Sequence, residues 1–107
     1  MRYEIILSPE AHEDYQRLKA HHRAEVRDGL ERYLRHEPAR TSRSRIKRLR
    51  GLARPQFRLR IGDLLVFYDV SESTVEVLAI VSKADAESWL EQRGGVDEEG
   101  TADGSEE

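Results

Sequence analysis

A run of positive charge between Arg40 and Arg60 is the part of this sequence that most suggests chemistry. These 21 residues include nine Lys or Arg and no Asp or Glu. Solvated surfaces usually intersperse both signs of charge, so a run of one sign predicts an anionic partner. The simpler alternative is a solvated basic loop. The cations that we expect to contact such a partner are Arg43, Arg45, Lys47, Arg48, Arg50 and Arg54.

Arg58 and Arg60, at the end of this run, have the spacing that best fits a binding site. If they lie on a strand, both side chains point to the same face of the sheet and are roughly 6.5–7 Å apart. Two guanidinium groups at that distance can bind neighbouring phosphates through paired hydrogen bonds, and they stay charged at physiological pH. The alternative is that both arginines lie along a solvated sheet face and bind nothing.

A hairpin is predicted to hold these two arginines. Apolar and polar residues alternate over residues 57–61, Gly62-Asp63 is typical of a two-residue turn, and residues 64–70 form the return strand. The return strand is apolar on both faces, which predicts a central position in the sheet. The resulting register places Ile61 opposite Leu64, Arg60 opposite Leu65 and Arg58 opposite Phe67.

Residues upstream of the basic run predict a strand and two helices. Residues 3–7 alternate as a strand, and Ser8-Pro9 is typical of a helix start, with Ser8 as the cap. Apolar residues at helical spacing then predict an antiparallel pair of helices, separated at His21-His22 and ending before Pro38.

The chain downstream of the hairpin completes the fold prediction. Residues 75–81 are expected to form a further strand and residues 84–92 a short helix. The order β-α-α-β-β-β-α predicts an α+β fold with a mostly antiparallel sheet. The N-terminal helical hairpin packs on one face of that sheet, and the short helix closes the chain.

Length and composition predict one small domain. The chain has 107 residues, of which 37% are apolar, enough for a single modest core. It has no cysteine, which fits a reducing cytosol. Its longest apolar run, Leu64 to Tyr68, is far shorter than the roughly 20 residues of a membrane span, and no signal peptide is recognisable. We therefore expect a cytoplasmic protein without membrane contact and without a cofactor.

Charge is divided unevenly between residues 1–93 and residues 94–107. The last 14 residues contain six acids, no base and four of the seven glycines, a composition that cannot bury a core. We expect a folded domain at 1–93 and a disordered acidic tail at 94–107. The domain carries 18 basic and 15 acidic residues, a net charge of +3. The tail either competes with an anionic ligand for the basic surface or simply keeps the protein soluble.

The histidines are the residues that would be considered first as metal ligands. All lie in the predicted helical part, with no nearby Cys and no suitably spaced carboxylate. We therefore expect exposed helix and turn residues, and no metal site, at His12, His21, His22 and His36.

Three segments resemble the RelE/ParE superfamily of toxins from bacterial type II toxin–antitoxin modules. They are YEIILSPEAHEDYQRL, IKRLRGLARPQFRLRIGDLLVFYDV and VEVLAIVSKADAESWL, and the resemblance extends from residue 1 to about residue 92. It implies a small α+β toxin that an antitoxin silences in a hetero-oligomer. In the RelE branch such toxins cleave messenger RNA on the ribosome, and in the ParE branch they poison DNA gyrase.

The resemblance also implies catalytic positions. Arg58 falls at a basic catalytic position of the RelE branch, and Arg60 at a neighbouring arginine. Lys83 stands where that branch has an arginine, and Trp89 where it has a tyrosine proposed for acid–base chemistry. Leu65 replaces an arginine that supports the phosphate in the transition state. The predicted catalytic residues are therefore Arg58, Arg60, Lys83 and Trp89, in a site that Leu65 is expected to weaken.

RNA cleavage by the ribose 2′-hydroxyl needs a proton acceptor, cations around the phosphorus and a donor for the leaving oxygen. Arg58 and Arg60 can supply the cations but not the base, because a guanidinium does not lose its proton in proteins. Lys83 could act as acid or base. Trp89 offers a stacking ring and one N–H donor, or else the apolar anchor of the last helix.

The sequence thus predicts a toxin that acts as a ribosome-dependent mRNA endoribonuclease with an altered site. Its expected partners are a cognate antitoxin, the ribosome and messenger RNA. The alternative is a non-catalytic binding protein, either a ParE-like inhibitor of DNA gyrase or a degenerate toxin that only binds its antitoxin.

Overall fold

The elements of the fold are given by a computed structural model that describes residues 1–93 and the backbone of Gly95 and Val96. The rest of the predicted acidic tail lies outside the described residues. Strand β1 (Glu4–Leu7) precedes helices α1 (Pro9–Arg17) and α2 (Ala20–Gly29), and α2 continues as a π-helical turn (Leu30–Leu34). Next come β2 (Ile46–Arg48), β3 (Leu52–Arg54), β4 (Phe57–Ile61), β5 (Leu64–Val70), β6 (Thr74–Ser82), a 3₁₀ turn (Lys83–Asp85), α3 (Ala86–Arg93) and β7 (Gly95–Val96).

Five strands form one sheet in the order β1-β6-β5-β4-β2. β1 runs parallel to β6, and the other neighbours are antiparallel. The predicted α+β class with a mostly antiparallel sheet is therefore confirmed. β5 lies at the centre, as its apolar residues on both faces predicted. β3 pairs separately with β7.

The β4–β5 hairpin has the register that the sequence predicted. Ile61 lies opposite Leu64, Arg60 opposite Leu65 and Arg58 opposite Phe67. Gly62 has a φ of 60°, and no residue other than glycine has a positive φ in the described part of the chain. A positive φ at the first turn residue alone is the pattern of a type II′ turn, whose twist suits a hairpin.

The N-terminal helices cover one face of the sheet. Ser8 caps α1 as predicted, because its Oγ accepts a hydrogen bond from the Ala11 N–H at 3.1 Å. Apolar residues of both helices are buried against β4, β5 and β6. The Tyr68 hydroxyl of β5 donates to the Pro38 carbonyl at 2.7 Å, and burial raises the pKa of this tyrosine. This face holds the larger core cluster.

Strand β6 extends beyond the end of β1, and residues of the α1 region form hydrogen bonds to this part of its edge. A β-bulge at Leu78 accompanies this arrangement. Phe67 lies opposite Ala79 and Tyr68 opposite Val77, so Leu78 has no partner on β5. The Ser8 hydroxyl donates to the Leu78 carbonyl at 3.2 Å. Further along, the Ile80 N–H donates to the Asp14 carboxylate at 3.0 Å. Burial raises the pKa of Asp14, and this hydrogen bond opposes the shift.

The opposite face of the sheet carries α3. Leu65 and Phe67 of β5 are buried with Ala86 of α3, and Leu49 and Trp89 pack against them. This second cluster covers only part of the face, which leaves the β4 and β2 side of the sheet open to a ligand. None of the helices in the described residues has the length and apolar character of a membrane span.

Two local predictions are wrong. The helices separate at Leu18 and Lys19, and His21-His22 lie inside the first turn of α2. Leu18 leaves the helix because its side chain packs on the core, while the Arg23 guanidinium binds its carbonyl. The element order also lacked β2, β3 and β7, so part of the basic run is an edge strand of the sheet and not a loop.

Candidate nucleic-acid site

A cavity of about 470 Å³ lies on the α3 face of the sheet, bounded by β2, β4, β5 and α3. Its floor includes Leu65 and Phe67 of the central strand. Five cations line it: Arg43, Lys47, Arg58, Arg60 and Lys83. Three of the four predicted catalytic residues, Arg58, Arg60 and Lys83, are thus brought together although 25 positions separate the first from the last.

Arg58 is the most constrained of these cations. It lies opposite Lys47 on β2 and Phe67 on β5, so its backbone is fixed from both sides. Its Nε is buried and has no hydrogen-bond partner within residues 1–93. A buried donor of a charged group normally has a partner, so the arrangement favours an anion in the cavity.

The cavity cations also lack ion-pair partners. Among the described residues none of them forms an ion pair, whereas Arg17, Arg35, Arg40, Arg54 and Arg93 each contact a carboxylate. Like charges held close together without counterions raise the local positive potential. The cavity is therefore a region of positive potential that suits an anionic ligand.

The start of α3 positions Lys83 above the strands. The Lys83 N–H donates to the Asp63 carbonyl in the hairpin turn at 2.9 Å, and Ser82 caps the turn by accepting from the Asp85 N–H at 3.2 Å. Ala86 is buried against the sheet. These contacts direct one flank of the segment, formed by Lys83, Glu87 and Leu90, into the cavity wall.

Trp89 lies on the other flank of α3 and does not line the cavity. Its ring stacks on Phe67 with centroids 4.9 Å apart and an angle of 4° between the planes. Its Nε1 donates to Glu10 Oε2 at 3.2 Å. These contacts fit the role of helix anchor, one of the two roles that the sequence left open. Trp89 touches Phe67, which lies opposite Arg58.

The predicted RNA-binding cations divide into two groups. Arg43 and Lys47 line the cavity, and Arg50 lies in an adjoining groove beside Gly51 and Leu52. The remaining ones contact the protein itself. Arg45 lies 4.8 Å from the centroid of the Tyr33 ring, Arg48 lies 5.2 Å from that of Phe57, and Arg54 binds Asp69 and Glu76 at 2.8 and 3.3 Å.

No group of three potential metal ligands occurs in the part of the chain that the structure describes. His12 and His21 are exposed, His22 contacts Glu25, and His36 contacts the Met1 carbonyl. His36 is exposed as well, as the sequence predicted, whereas His22 is half-buried.

Glu87 is the cavity residue that the sequence analysis missed, and it is the only acid in the cavity lining. The spacing could have identified it, because Glu87 follows Lys83 by four residues and residues four apart share a helix face. It was overlooked because the surrounding residues are basic and the RelE resemblance pointed to position 89.

Residues 5–87 match the sequence family described as ParE toxin of type II toxin-antitoxin system, parDE. Since this match covers well over half of the chain, the protein belongs to the ParE toxin family within the RelE/ParE superfamily. It is therefore the toxin of a type II toxin–antitoxin module. Among curated protein sequences, none matches this chain significantly.

Solved toxin structures share the fold. A chain of the RelBE2 toxin–antitoxin complex of Mycobacterium tuberculosis is 24% identical, with a TM-score of 0.59 over 77% of this chain and 99% of that chain. The RelE–RelB complex of Pyrococcus horikoshii gives 25% identity and a TM-score of 0.57, over 78% and 97% of the two chains. The YoeB dimer of Staphylococcus aureus gives 17% and 0.54, over 76% and 97%.

Proposed function

We propose that this toxin cleaves messenger RNA on the ribosome and that the cation-lined cavity is its RNA-cleaving site. The observation that carries the proposal is the buried Nε of Arg58, which has no partner in the described chain and lies among four further cations. Leaving such a donor unpaired costs roughly 1–3 kcal/mol. A bound phosphate would remove that cost, and the likeness to the archaeal RelE–RelB complex supports the RelE branch.

Each wall of the cavity has a separate role in this proposal. Arg58 and Arg60 hold the scissile phosphate and stabilise the charge that develops on its oxygens. Lys83, on the opposite wall, donates a proton to the leaving 5′ oxygen. Arg43 and Lys47 hold the neighbouring phosphates along the strand. Trp89 acts indirectly, because its stacking on Phe67 supports the floor beside Arg58.

An antitoxin is the second partner that we propose. The similar chains from Mycobacterium tuberculosis, Methanococcus jannaschii and Pyrococcus horikoshii were each solved as toxin–antitoxin complexes. An acidic antitoxin segment over the cavity would neutralise the same cations that bind RNA, so one surface would serve both activity and silencing. The complex would form in the cytoplasm, where translation takes place.

Regulated expression followed by mapping of RNA 5′ ends tests the proposed reaction. We expect new 5′ ends within translated messages, and we expect Arg58→Ala to lower the cleavage rate by about 10²–10³-fold. Arg27→Ala, which removes an exposed cation from α2, is the matched control and should cleave normally.

A non-catalytic function is the second candidate, and Leu65 is the observation that favours it. The RelE resemblance places a phosphate-binding arginine at this position, and here a leucine forms the cavity floor. The protein would then inhibit DNA gyrase or bind only its antitoxin. Gyrase supercoiling assayed in parallel separates these outcomes, since inhibition of supercoiling without new RNA ends would replace the cleavage proposal.

A further inference from the structure

Glu87 is the one acid in the lining of a cavity that also carries five cations. It is exposed, and its carboxylate has no ion-pair partner within residues 1–93 even though five cations line the same cavity. An exposed ion pair gains little energy in water, and no neighbour within the described residues engages the Glu87 carboxylate, so it is available to a ligand.

The proposed reaction lacks a proton acceptor unless Glu87 supplies it. Attack by a 2′-hydroxyl requires a group that removes its proton, and arginine cannot do so because it stays protonated. Lys83 carries the proton that the leaving oxygen needs, so it cannot also begin the reaction as the acceptor. Ser44, the neutral polar side chain of the lining, is not basic enough. A carboxylate is the remaining acceptor among the lining residues.

We propose that Glu87 is the general base of this site, an inference that rests on the proposed RNA cleavage. The Glu87 carboxylate takes the proton of the 2′-hydroxyl, and the 2′ oxygen forms a bond to phosphorus. The bond from phosphorus to the 5′ oxygen breaks, and the Lys83 ammonium gives its proton to that oxygen. The products are a 2′,3′-cyclic phosphate and a free 5′-hydroxyl. Water then returns the proton from Glu87 to Lys83, which restores the starting state.

The geometry of α3 suits a base and an acid that work together. Lys83 and Glu87 are one helical turn apart on the flank that faces Arg58 and Arg60 across the cavity. Two contacts fix this flank against the sheet. The Lys83 N–H donates a hydrogen bond to the Asp63 carbonyl, and Ala86, which lies between Lys83 and Glu87 in sequence, is buried. A phosphate held by the β4 arginines therefore has the base and the acid on the same opposing wall.

Glu87→Gln compared with Glu91→Gln tests the proposal on the full-length protein. Glu91 is also exposed on α3, one turn further, and lies outside the cavity lining, so it is the matched control. We expect Glu87→Gln to lower the single-turnover rate on a programmed ribosome by about 10²–10⁴-fold. Ribosome binding should be unchanged or tighter, because a negative charge is lost. Glu91→Gln should cleave as the wild type does.

A conservative substitution separates a base from a residue that only supports the fold. Glu87→Asp, which withdraws the carboxylate by one methylene, should bind normally and cleave at least about tenfold more slowly. The cleaved RNA should carry a 2′,3′-cyclic phosphate.

Two results would overturn the inference in distinguishable ways. If the wild type cleaves and Glu87→Gln cleaves within a few-fold of it, Glu87 only balances charge and the proton goes elsewhere. If the wild type binds the ribosome and cleaves nothing, the proposed function itself is wrong, and so is the assignment of Glu87 as its base.

Discussion

Leu65 belongs both to the second core cluster and to the lining of the proposed phosphate site. Its side chain is 5% exposed and packs with Phe67 and Ala86, yet it also forms part of the cavity lining. Arg60 lies opposite it on β4. A long basic side chain could start from this position and still reach the cavity, because such side chains run along apolar surface and place their charge in water.

We expect Leu65→Arg to raise the single-turnover rate of cleavage by about 10- to 1000-fold with little change in ribosome binding. The reason is that a third guanidinium would contact the same phosphate mainly in the transition state. The lost packing should lower the free energy of unfolding by about 1–3 kcal/mol, measured by denaturant titration. Adding Arg58→Ala should abolish the gain, since both residues act on one centre.

The control for this change is Leu65→Met, which conserves volume and adds no charge. It should cost less than about 1.5 kcal/mol and leave the cleavage rate unchanged. A Leu65→Arg protein that folds and binds the ribosome but cleaves no faster would count against phosphate binding at this position.

Tyr68 allows a test of the opposite face. Tyr68→Phe leaves the Pro38 carbonyl without its donor, so the free energy of unfolding near pH 8 should fall by about 1–2 kcal/mol. Burial raises the pKa of Tyr68 above its ordinary value of 10.0. A raised pKa in the folded state means that the stabilising effect is complete below pH 10 and is lost as the pH rises further.

The wild type and Tyr68→Phe should therefore converge in stability between about pH 10 and pH 11. Urea unfolding at several pH values measures this difference. A constant gap over that range would mean that the hydroxyl is not buried as the structure describes.

At the scale of elements, β2 and β3 give the basic run two distinct roles. Lys47 on β2 and Arg43 before it face the cavity, whereas Arg54 on β3 binds Asp69 and Glu76 of the neighbouring strands. We expect the double change Arg43→Gln and Lys47→Gln to weaken RNA binding and to make its salt dependence shallower by about 1.4 in the logarithmic slope, as two phosphate contacts to a single strand require.

Arg54→Gln is the matched comparison, because it removes one cation of the same run that is already neutralised by the protein. Its salt slope should equal that of the wild type. Filter binding to single-stranded RNA at several salt concentrations decides the matter. An equal loss of slope in both variants would mean that the basic run is a uniformly solvated surface with no division of roles.

The β4–β5 hairpin was predictable in register because apolar and polar residues alternate over β4 and the turn begins with glycine. The edge strand β2 was not, since it has three residues and two of them are basic, which hides a strand pattern behind the charge. The break between α1 and α2 was misplaced because nothing local marks Leu18. Its departure from the helix is set by packing against the sheet, a tertiary effect that the sequence does not display.

The site was predictable to a similar degree. Arg58 and Arg60 follow from strand spacing alone, and Lys83 joined them through family resemblance. Trp89 was assigned a catalytic position through the family resemblance, but which flank of α3 it occupies depends on the contact with Phe67. Which cations of the basic run face the cavity and which contact the protein depends on partners far away in sequence, such as Asp69 and Glu76 for Arg54.

At the scale of the whole molecule, the acidic residues after Val96 remain to be assigned a role. Residues 97–107 contain all six acids of the tail and no base, so their deletion changes the net charge from −3 to +3. We expect truncation after Val96 to raise RNA affinity at low salt, because a tethered acidic segment competes at high effective concentration. A full-length variant with the six acids changed to Asn or Gln is the control for chain length.

The thermal midpoint should be nearly unchanged by this truncation, since it retains the pairing of β3 with β7. A fall of more than about 4–8 °C, equivalent to roughly 1 kcal/mol in a domain of this size, would show that the tail contributes to folding. Equal RNA affinity with and without the acids would reduce the tail to a solubilising terminus.

The pairing of β1 with β6 has a consequence for synthesis of the chain. Residues 4–7 find their partners at residues 74–77, and the cavity closes only when Lys83 and Glu87 dock with α3. Contacts between residues so distant along the chain form late. The chain is synthesised at roughly 5–20 residues per second, and neither the β1–β6 pairing nor the cavity wall can form until most of it has been made. We therefore expect the nascent chain to lack the proposed activity towards the ribosome that makes it, even after both β4 arginines have emerged.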